Sequence, residues 1–287
     1  MSGGATPVFR FAPSPNGRLH LGHAYSALLN EDMARRLGGR LLLRIEDIDP
    51  VRSRPELVAG IFSDIDWLGI AFEAPVRRQS EHMAEYRHAL EGLAGRGLAY
   101  PCFCSRGQIA AMVAADAPRD PDGGPLYPGT CRALSGEEAA RRRAAGEPHA
   151  WRLDMARALA QAPGPHAYTA FDAEGGERRL SADPARWGDP VIGRRDVPTS
   201  YHLAVVLDDA AQGVSHVVRG QDLEAATDLH VLLQELLGLA SPAYHHHALL
   251  RGPDGEKLAK SKGSESLADL RARGASAADL RARLGFS

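Results

Sequence analysis

Two short runs carry the residue types that chemistry on a polyphosphate needs. The first, from Arg10 to Leu29, sets His20 and His23 three residues apart around Gly22, where a proline-rich loop opens into a helix pattern. Imidazole N–H groups can donate to phosphate oxygens, and Gly17 and Gly22 let backbone approach a flat ligand. The unpaired N–H groups and dipole of a helix N-terminus attract anions. The second run, "GPDGEKLAKSKG" from Gly252 to Gly263, places Lys257, Lys260 and Lys262 among glycines and a proline, as a basic loop rather than a helix face. Neither GxxxxGKS/T nor GxGxxG is present, so neither a Walker cradle nor a dinucleotide fingerprint accounts for them. A third cluster is of another kind. The three cysteines are Cys102 and Cys104 in "CFC" and Cys131 in "YPGTC". An odd number cannot close a secreted disulfide framework, whereas three thiolates with one further ligand can hold Zn²⁺ tetrahedrally.

The elements that must position these groups alternate between strand and helix. "VFRFA" (Val8 to Ala12) reads as a strand stopped by Pro13. Leu21, Tyr25, Leu28, Leu29, Met33 and Leu37 then recur at helical spacing until Gly38 and Gly39, and "RLLLRIED" (Arg40 to Asp47) reads as a buried strand. Strand, helix, strand is a parallel crossover unit, so the predicted fold class is α/β, a doubly wound Rossmann-type parallel sheet with the first loop at its carboxyl edge. Helix patterns at Leu57 to Leu68 and Met83 to Leu93 complete a first half over 1–99. From 100 to 190 the periodicity breaks, with the cysteines, many Gly and Pro, and short strand-like pieces "WRLDM" and "HAYTAF"; this predicts an inserted subdomain. Strands are expected again at Thr199 to Asp209 and Gly213 to Gly220, then a helix from Asp222 to Gly238, giving a second half over 191–250. Residues 251–287 hold the lysine loop and two copies of "ADLRAR", expected as short C-terminal helices.

Composition narrows the partners. The 287 residues are 44% hydrophobic and 24% charged, with a formal charge of −2. No apolar run approaches a membrane span and no signal peptide opens the chain, so a cytoplasmic protein without a membrane partner is expected, as a monomer. Near-neutral charge gives no global pull toward nucleic acid. An RNA partner would need a local basic face, for which "RRRAAG" and "RARGASAADLRAR" are the candidates.

The two phosphate-type loops together resemble the HIGH and KMSKS motifs of class I aminoacyl-tRNA synthetases, as "HLGH" (His20 to His23) and "KLAKS" (Lys257 to Ser261). Their order along the chain is the specific feature. Ala259 departs from the pattern, which has Ser there, while both lysines remain. "RFAPSPNG", "LLRIEDIDP", "YHLAVVLDD" and "VVRGQDL" extend the resemblance to the glutamyl-tRNA synthetases over nearly the whole chain. So little sequence follows Ser261 that the resemblance implies no anticodon-binding domain in 251–287, and the chain looks like the shorter paralogue of that family, which attaches glutamate to the queuosine base at the wobble position of tRNA(Asp). That paralogue's CxC and YxxxC pattern implies a structural zinc on Cys102, Cys104, Tyr127 and Cys131, one ion per chain, with His149 or Asp122 as alternatives to the tyrosine.

The resemblance implies a ligase that uses ATP, with Mg²⁺, to activate L-glutamate. His20, His23, Lys257 and Lys260 would be catalytic, with Gly22 joining His20, His23 and Lys260 on ATP. Glutamate brings two carboxylates and an ammonium. Arg10 and Arg219 could take the carboxylates as forks, the resemblance favouring Arg10 for the side chain. Glu46 could pair with the ammonium, Ser14 could hydrogen-bond the amino acid, and Tyr201 could close the pocket. A truncated glutamyl-tRNA synthetase charging a tRNA 3′ end and a non-catalytic RNA-binding paralogue remain the alternatives.

Overall fold

The computed structural model describes residues 5–250 and 265–286. Strand β1 is Val8–Phe11, helix α1 Leu21–Arg36, β2 Arg40–Ile45, α2 Pro55–Leu68, β3 Glu73–Arg78 and α3 Met83–Gly95. Then come β4 (Ala99–Cys102), α4 (Arg106–Met112), α5 (Gly136–Ala144), β5 (Ala150–Leu153), α6 (Met155–Gln161), β6 (Ala167–Phe171), β7 (Glu177–Ser181) and β8 (Val191–Gly193). The last described elements are α7 (Tyr201–Ala211), β9 (His216–Gly220), α8 (Ala226–Leu237), β10 (Ala243–His247), α9 (Leu267–Ala272) and α10 (Ala277–Arg283).

The main sheet runs β3-β2-β1-β9-β10-β6-β7, parallel throughout except for the β6–β7 hairpin. From β1 the chain winds outward through β2 and β3, and it later returns to the other side of β1 with β9 and β10. The switch in winding direction therefore lies between β1 and β9, the place where open α/β sheets bind ligands at their carboxyl ends.

Strand alternation decides which side chains meet. Phe9 and Phe11 of β1 and Leu41, Leu43 and Ile45 of β2 pack in one core with α1, α2 and the C-terminal Leu267, Leu270 and Leu280. Val8, Leu42, Val217 and Tyr244 point the other way and pack with Val231 of α8. A side-chain period of two then puts Arg10, Arg44, Arg219 and His246 on that second face, under α7 and α8. Three buried arginines are thus aimed at one layer.

Two expectations need correction. Thr199 to Asp209 is not a strand: Tyr201 onward forms α7, with Leu203, Ala204, Val205 and Val206 all buried against α3 and α8. A helix covered on all sides shows no amphipathic stripe, so its apolar run and valine pair imitate a buried strand, and its length of 11 residues is the feature that favours helix. Nor does the 100–190 stretch stand wholly apart from the sheet. "WRLDM" supplies β5 of a separate three-stranded sheet, β4-β5-β8, but "HAYTAF" supplies β6, which pairs with β10 and carries β7 to the edge of the main sheet.

The "ADLRAR" repeats are helices, as expected. Each is capped by a serine, Ser266 or Ser276, whose hydroxyl takes the N–H of an aspartate three residues on, Asp269 or Asp279, and each buries the leucine of the repeat. No helix among the described residues is long and apolar enough to cross a membrane.

Candidate active site

A cavity of about 960 Å³ opens at the switch point, and its walls include Arg10, Ser14, Gly22, Glu46, Tyr201 and Arg219 together with His20 and His23. Every expected glutamate or nucleotide residue among the described ones is therefore brought to one place. Lys257 and Lys260, with Ala259, lie outside the described residues.

The two histidines are built into the start of α1. His20 is the N-cap, and its Nδ1 accepts from Gly22 N at 3.1 Å, while His23 Nδ1 accepts from His20 N at 3.2 Å. Two of the orphan donors at the helix start are satisfied reciprocally, a capping box with imidazole in place of hydroxyl and carboxylate. With Nδ1 accepting, a neutral ring carries its proton on Nε2, the donor a phosphate oxygen requires. The rings stand 4.0 Å apart. Gly22 is needed for this geometry as well as for ligand approach, because a Cβ there would lie 3.0 Å from His20 Cε1.

Beneath the cavity lies a buried ion network that sequence reading missed. Arg44, fully buried, donates from Nη1 to Asp209 Oδ1 at 2.7 Å and from Nη2 to Glu46 Oε1 at 3.2 Å, and its Nε is 3.8 Å from Asp208 Oδ2. Arg10 Nε donates to the same Asp209 Oδ1 at 3.1 Å. Burial tends to raise the Asp209 carboxyl, but Arg10 and Arg44 outweigh it and hold Asp209 below the usual range. For Glu46 burial wins over the same two arginines, and its carboxyl is raised. Asp208 is satisfied separately by Arg77 Nε at 2.7 Å, Gln79 Nε2 at 2.7 Å and the Tyr86 hydroxyl at 2.8 Å. The available signal was the Asp208–Asp209 pair ending an apolar run and Arg44 inside "RLLLRIED".

Arg219, 5% exposed, sits differently. Its partners are His246, His230, Thr227 and, at 3.5 Å, the Tyr201 hydroxyl. Among the described residues it has no carboxylate within ion-pair distance.

The cysteines converge at the end of β4. Sγ atoms of Cys102, Cys104 and Cys131 lie within 4.8 Å of one another, and Cys104 Sγ is 3.5 Å from Cys131 Sγ and 3.4 Å from the Tyr127 hydroxyl. Zn–S bonds of about 2.3 Å in a tetrahedron would separate sulfurs by about 3.8 Å, so the thiols and the phenol fit one ion as donors. Burial raises the Cys131 thiol, but hydrogen bonds, the one from Tyr127 largest, outweigh it and leave Cys131 below its ordinary range; Phe103 N–H donates to its sulfur at 3.3 Å. His149 and Asp122 do not join the cluster: His149 is held at Glu147 O and against Phe103 and Trp151, and Asp122 lies 3.9 Å from His202.

The arginine-rich stretches are largely committed elsewhere. Arg141 and Arg142 pair with Glu138 and Glu147, and Arg143 covers the Trp151 ring. Arg271 bonds Ser63 of α2, and Arg281 bonds Leu68 O and Glu31.

Comparison with known proteins agrees with this geometry. Residues 8–282 match the model for the catalytic domain of class I tRNA synthetases for E and Q. The chain is 48% identical to the glutamyl-Q tRNA(Asp) synthetase of Rhodobacter capsulatus, over 97% of this chain and 100% of that one. It is 45% identical to the protein of the same name from Symbiobacterium thermophilum, over 93% of this chain and 82% of that one. The crystal structure of a glutamate-tRNA synthetase from Elizabethkingia anophelis superposes with a TM-score of 0.71 at 28% identity, over 90% of this chain and 53% of that one. The chain belongs to the class I tRNA synthetase family of the glutamate and glutamine enzymes and, within it, to the glutamyl-Q tRNA(Asp) synthetases.

Proposed function

We propose that the protein activates L-glutamate with ATP and transfers the glutamyl group to queuosine at the wobble position of tRNA(Asp). The observation that carries the amino-acid part is Arg219, a buried guanidinium on the cavity wall with no carboxylate of its own among the described residues. It suits the substrate side-chain carboxylate better than Arg10, which is already paired with Asp209. Arg10 and Ser14 would then meet the α-carboxylate end, Glu46 the ammonium, and Tyr201 would close the pocket over the side chain.

In the first step the glutamate α-carboxylate attacks the α-phosphorus of ATP in line, and pyrophosphate leaves. In the second, a hydroxyl of the queuosine cyclopentene diol attacks the carbonyl of the adenylate, and AMP leaves. No protein nucleophile is needed. The protein would position the reactants and stabilise the growing phosphate charge through His20, His23, Gly22 backbone, the α1 N-terminus and, from outside the described residues, Lys257 and Lys260, with Mg²⁺ on ATP. Cys102, Cys104, Tyr127 and Cys131 would hold one Zn²⁺, which would staple the small subdomain around Phe103 and Ile109 rather than take part in the reaction.

The test offers labelled glutamate and ATP with tRNA(Asp) bearing queuosine, tRNA(Asp) lacking it, and tRNA(Glu). Label is expected only on the first, and it should survive removal of the 3′-terminal nucleotide. Label on the 3′ adenosine of tRNA(Glu), or equal labelling without queuosine, overturns the acceptor assignment.

A further inference from the structure

Arg219 is held by an unusual set of partners. Its Nε meets His246 Nε2 at 3.3 Å, Nη1 meets His230 Nδ1 at 3.2 Å, and Nη2 meets Thr227 Oγ1 at 2.8 Å. A guanidinium only donates, so both imidazole nitrogens must be unprotonated acceptors. The tautomers follow: in the neutral rings His246 carries its proton on Nδ1 and His230 on Nε2. His230 Nε2 then donates to His202 Nδ1 at 3.2 Å, which leaves the His202 proton on Nε2, 3.9 Å from Asp122 Oδ2. Burial and the Arg219 charge keep the three rings neutral, with His246 pushed down to about 3, His202 to about 4 and His230 well below its ordinary value.

The placement is set by the fold. Register pairs His246 of β10 directly with Arg219 of β9, and α8 brings Thr227 and His230 down onto the same face. Five donors less the three engaged leave one N–H on each terminal nitrogen, the Tyr201 hydroxyl reaching Nη1 only at 3.5 Å. One N–H on each terminal nitrogen, with an uncancelled charge, can serve a carboxylate as a fork. A glutamine side chain offers one acceptor, no charge, and an NH₂ that would oppose the second donor.

We infer that His230 and His246 are specificity-determining positioning residues, which orient Arg219 through neutral acceptors and so keep its charge for a substrate carboxylate, favouring glutamate over glutamine. This rests on the reading of Arg219 as the receptor for the side-chain carboxylate. A carboxylate in either histidine's place would orient the guanidinium equally well and cancel its charge.

The experiment is amino-acid-dependent ATP–pyrophosphate exchange by the full chain, titrated with glutamate and with glutamine. Two variants place a carboxylate oxygen near the histidine nitrogen, His230→Asp and His246→Glu; two place a neutral acceptor there, His230→Asn and His246→Gln. The acidic variants should raise the glutamate KM by about 100-fold or more and lower the glutamate-over-glutamine ratio by a similar factor, with the ATP KM within about threefold. The neutral variants should keep the glutamate KM within about tenfold. Equal KM rises in acidic and neutral variants, or acidic variants with the parent KM and ratio, overturn the inference. If one acidic variant does not fold, the other acidic and neutral pair decides by the same ratio. Absence of glutamate-dependent exchange in the parent chain would instead overturn the proposed function.

Discussion

Arg44 and Arg219 lie on the same face of one sheet, both almost fully buried, and they are answered in opposite ways. Around Arg44 stand Asp208, Asp209 and Glu46; around Arg219 stand two imidazoles, a threonine and a phenol. Burying a charge is costly unless it is paired; the first arrangement is closed within the protein, while the second has no carboxylate among the described residues and on the proposed reading is completed by the substrate. Burial alone therefore does not separate these two arginines; the charge of their partners does.

The sharpest break in this contrast is at Arg44. Arg44→Met would leave Asp209 and Glu46 with a lost counter-charge inside the fold, and urea titration should show a loss of about 3–5 kcal/mol. Arg219→Met should do the reverse. Its melting temperature should stay within a few degrees of the parent, because only neutral acceptors lose a donor, while glutamate-dependent exchange should fall by about 100-fold or more. If Arg219→Met unfolds as readily as Arg44→Met, the distinction between the two sites is wrong.

The cysteine cluster extends the comparison from charges to donors brought together within the fold. Freshly purified protein should contain about one zinc per chain by elemental analysis, and Cys102→Ser with Cys131→Ser should remove it and lower thermal stability. Protein that folds stably and carries no zinc would return the three thiols to ordinary packing.

The smallest effect belongs to Asp64 on α2, a carboxylate less fully answered than Asp209. Burial raises its carboxyl to about 6, against the pull of Arg271 and Arg18, and the nearest ion-pair distance is 3.7 Å to Arg271. The folded state thus binds this proton more tightly than the unfolded chain, so its contribution favours folding at low pH and is lost as pH rises from about 4 through about 6. Asp64→Asn should melt above the parent at pH 7.5, and the gap should close by pH 4. A gap that is constant across that range would show that the carboxyl charge is not its cause.

What could be read in the sequence was local. The HLGH turn, the strand ending at Pro13 and the capped "ADLRAR" helices are each specified by neighbours within a few residues. The pairing of Cys102 and Cys104 with Cys131 was legible because thiols are few. The Arg219 cradle was not, since His230 and His246 come from a helix and a strand that sequence spacing does not relate to β9; only the β9–β10 register and the placement of α8 bring them there. Helix α7 was misread for a related reason, as burial on every side removes the periodic signal that would have marked it.

The imidazole capping of α1 has a consequence for the energetics of turnover. Backbone N–H groups fix Nδ1 of both His20 and His23, so ring orientation and tautomer are settled when the chain folds rather than when nucleotide arrives. On the proposed reading, charge that develops on the phosphates would meet dipoles that need little reorganisation, the rotamer entropy of both rings having already been lost in folding. The same coupling would tie the proposed catalysis to architecture: replacing either histidine would loosen the first turn of the helix as well as remove the proposed donor, so activity and stability should fall together.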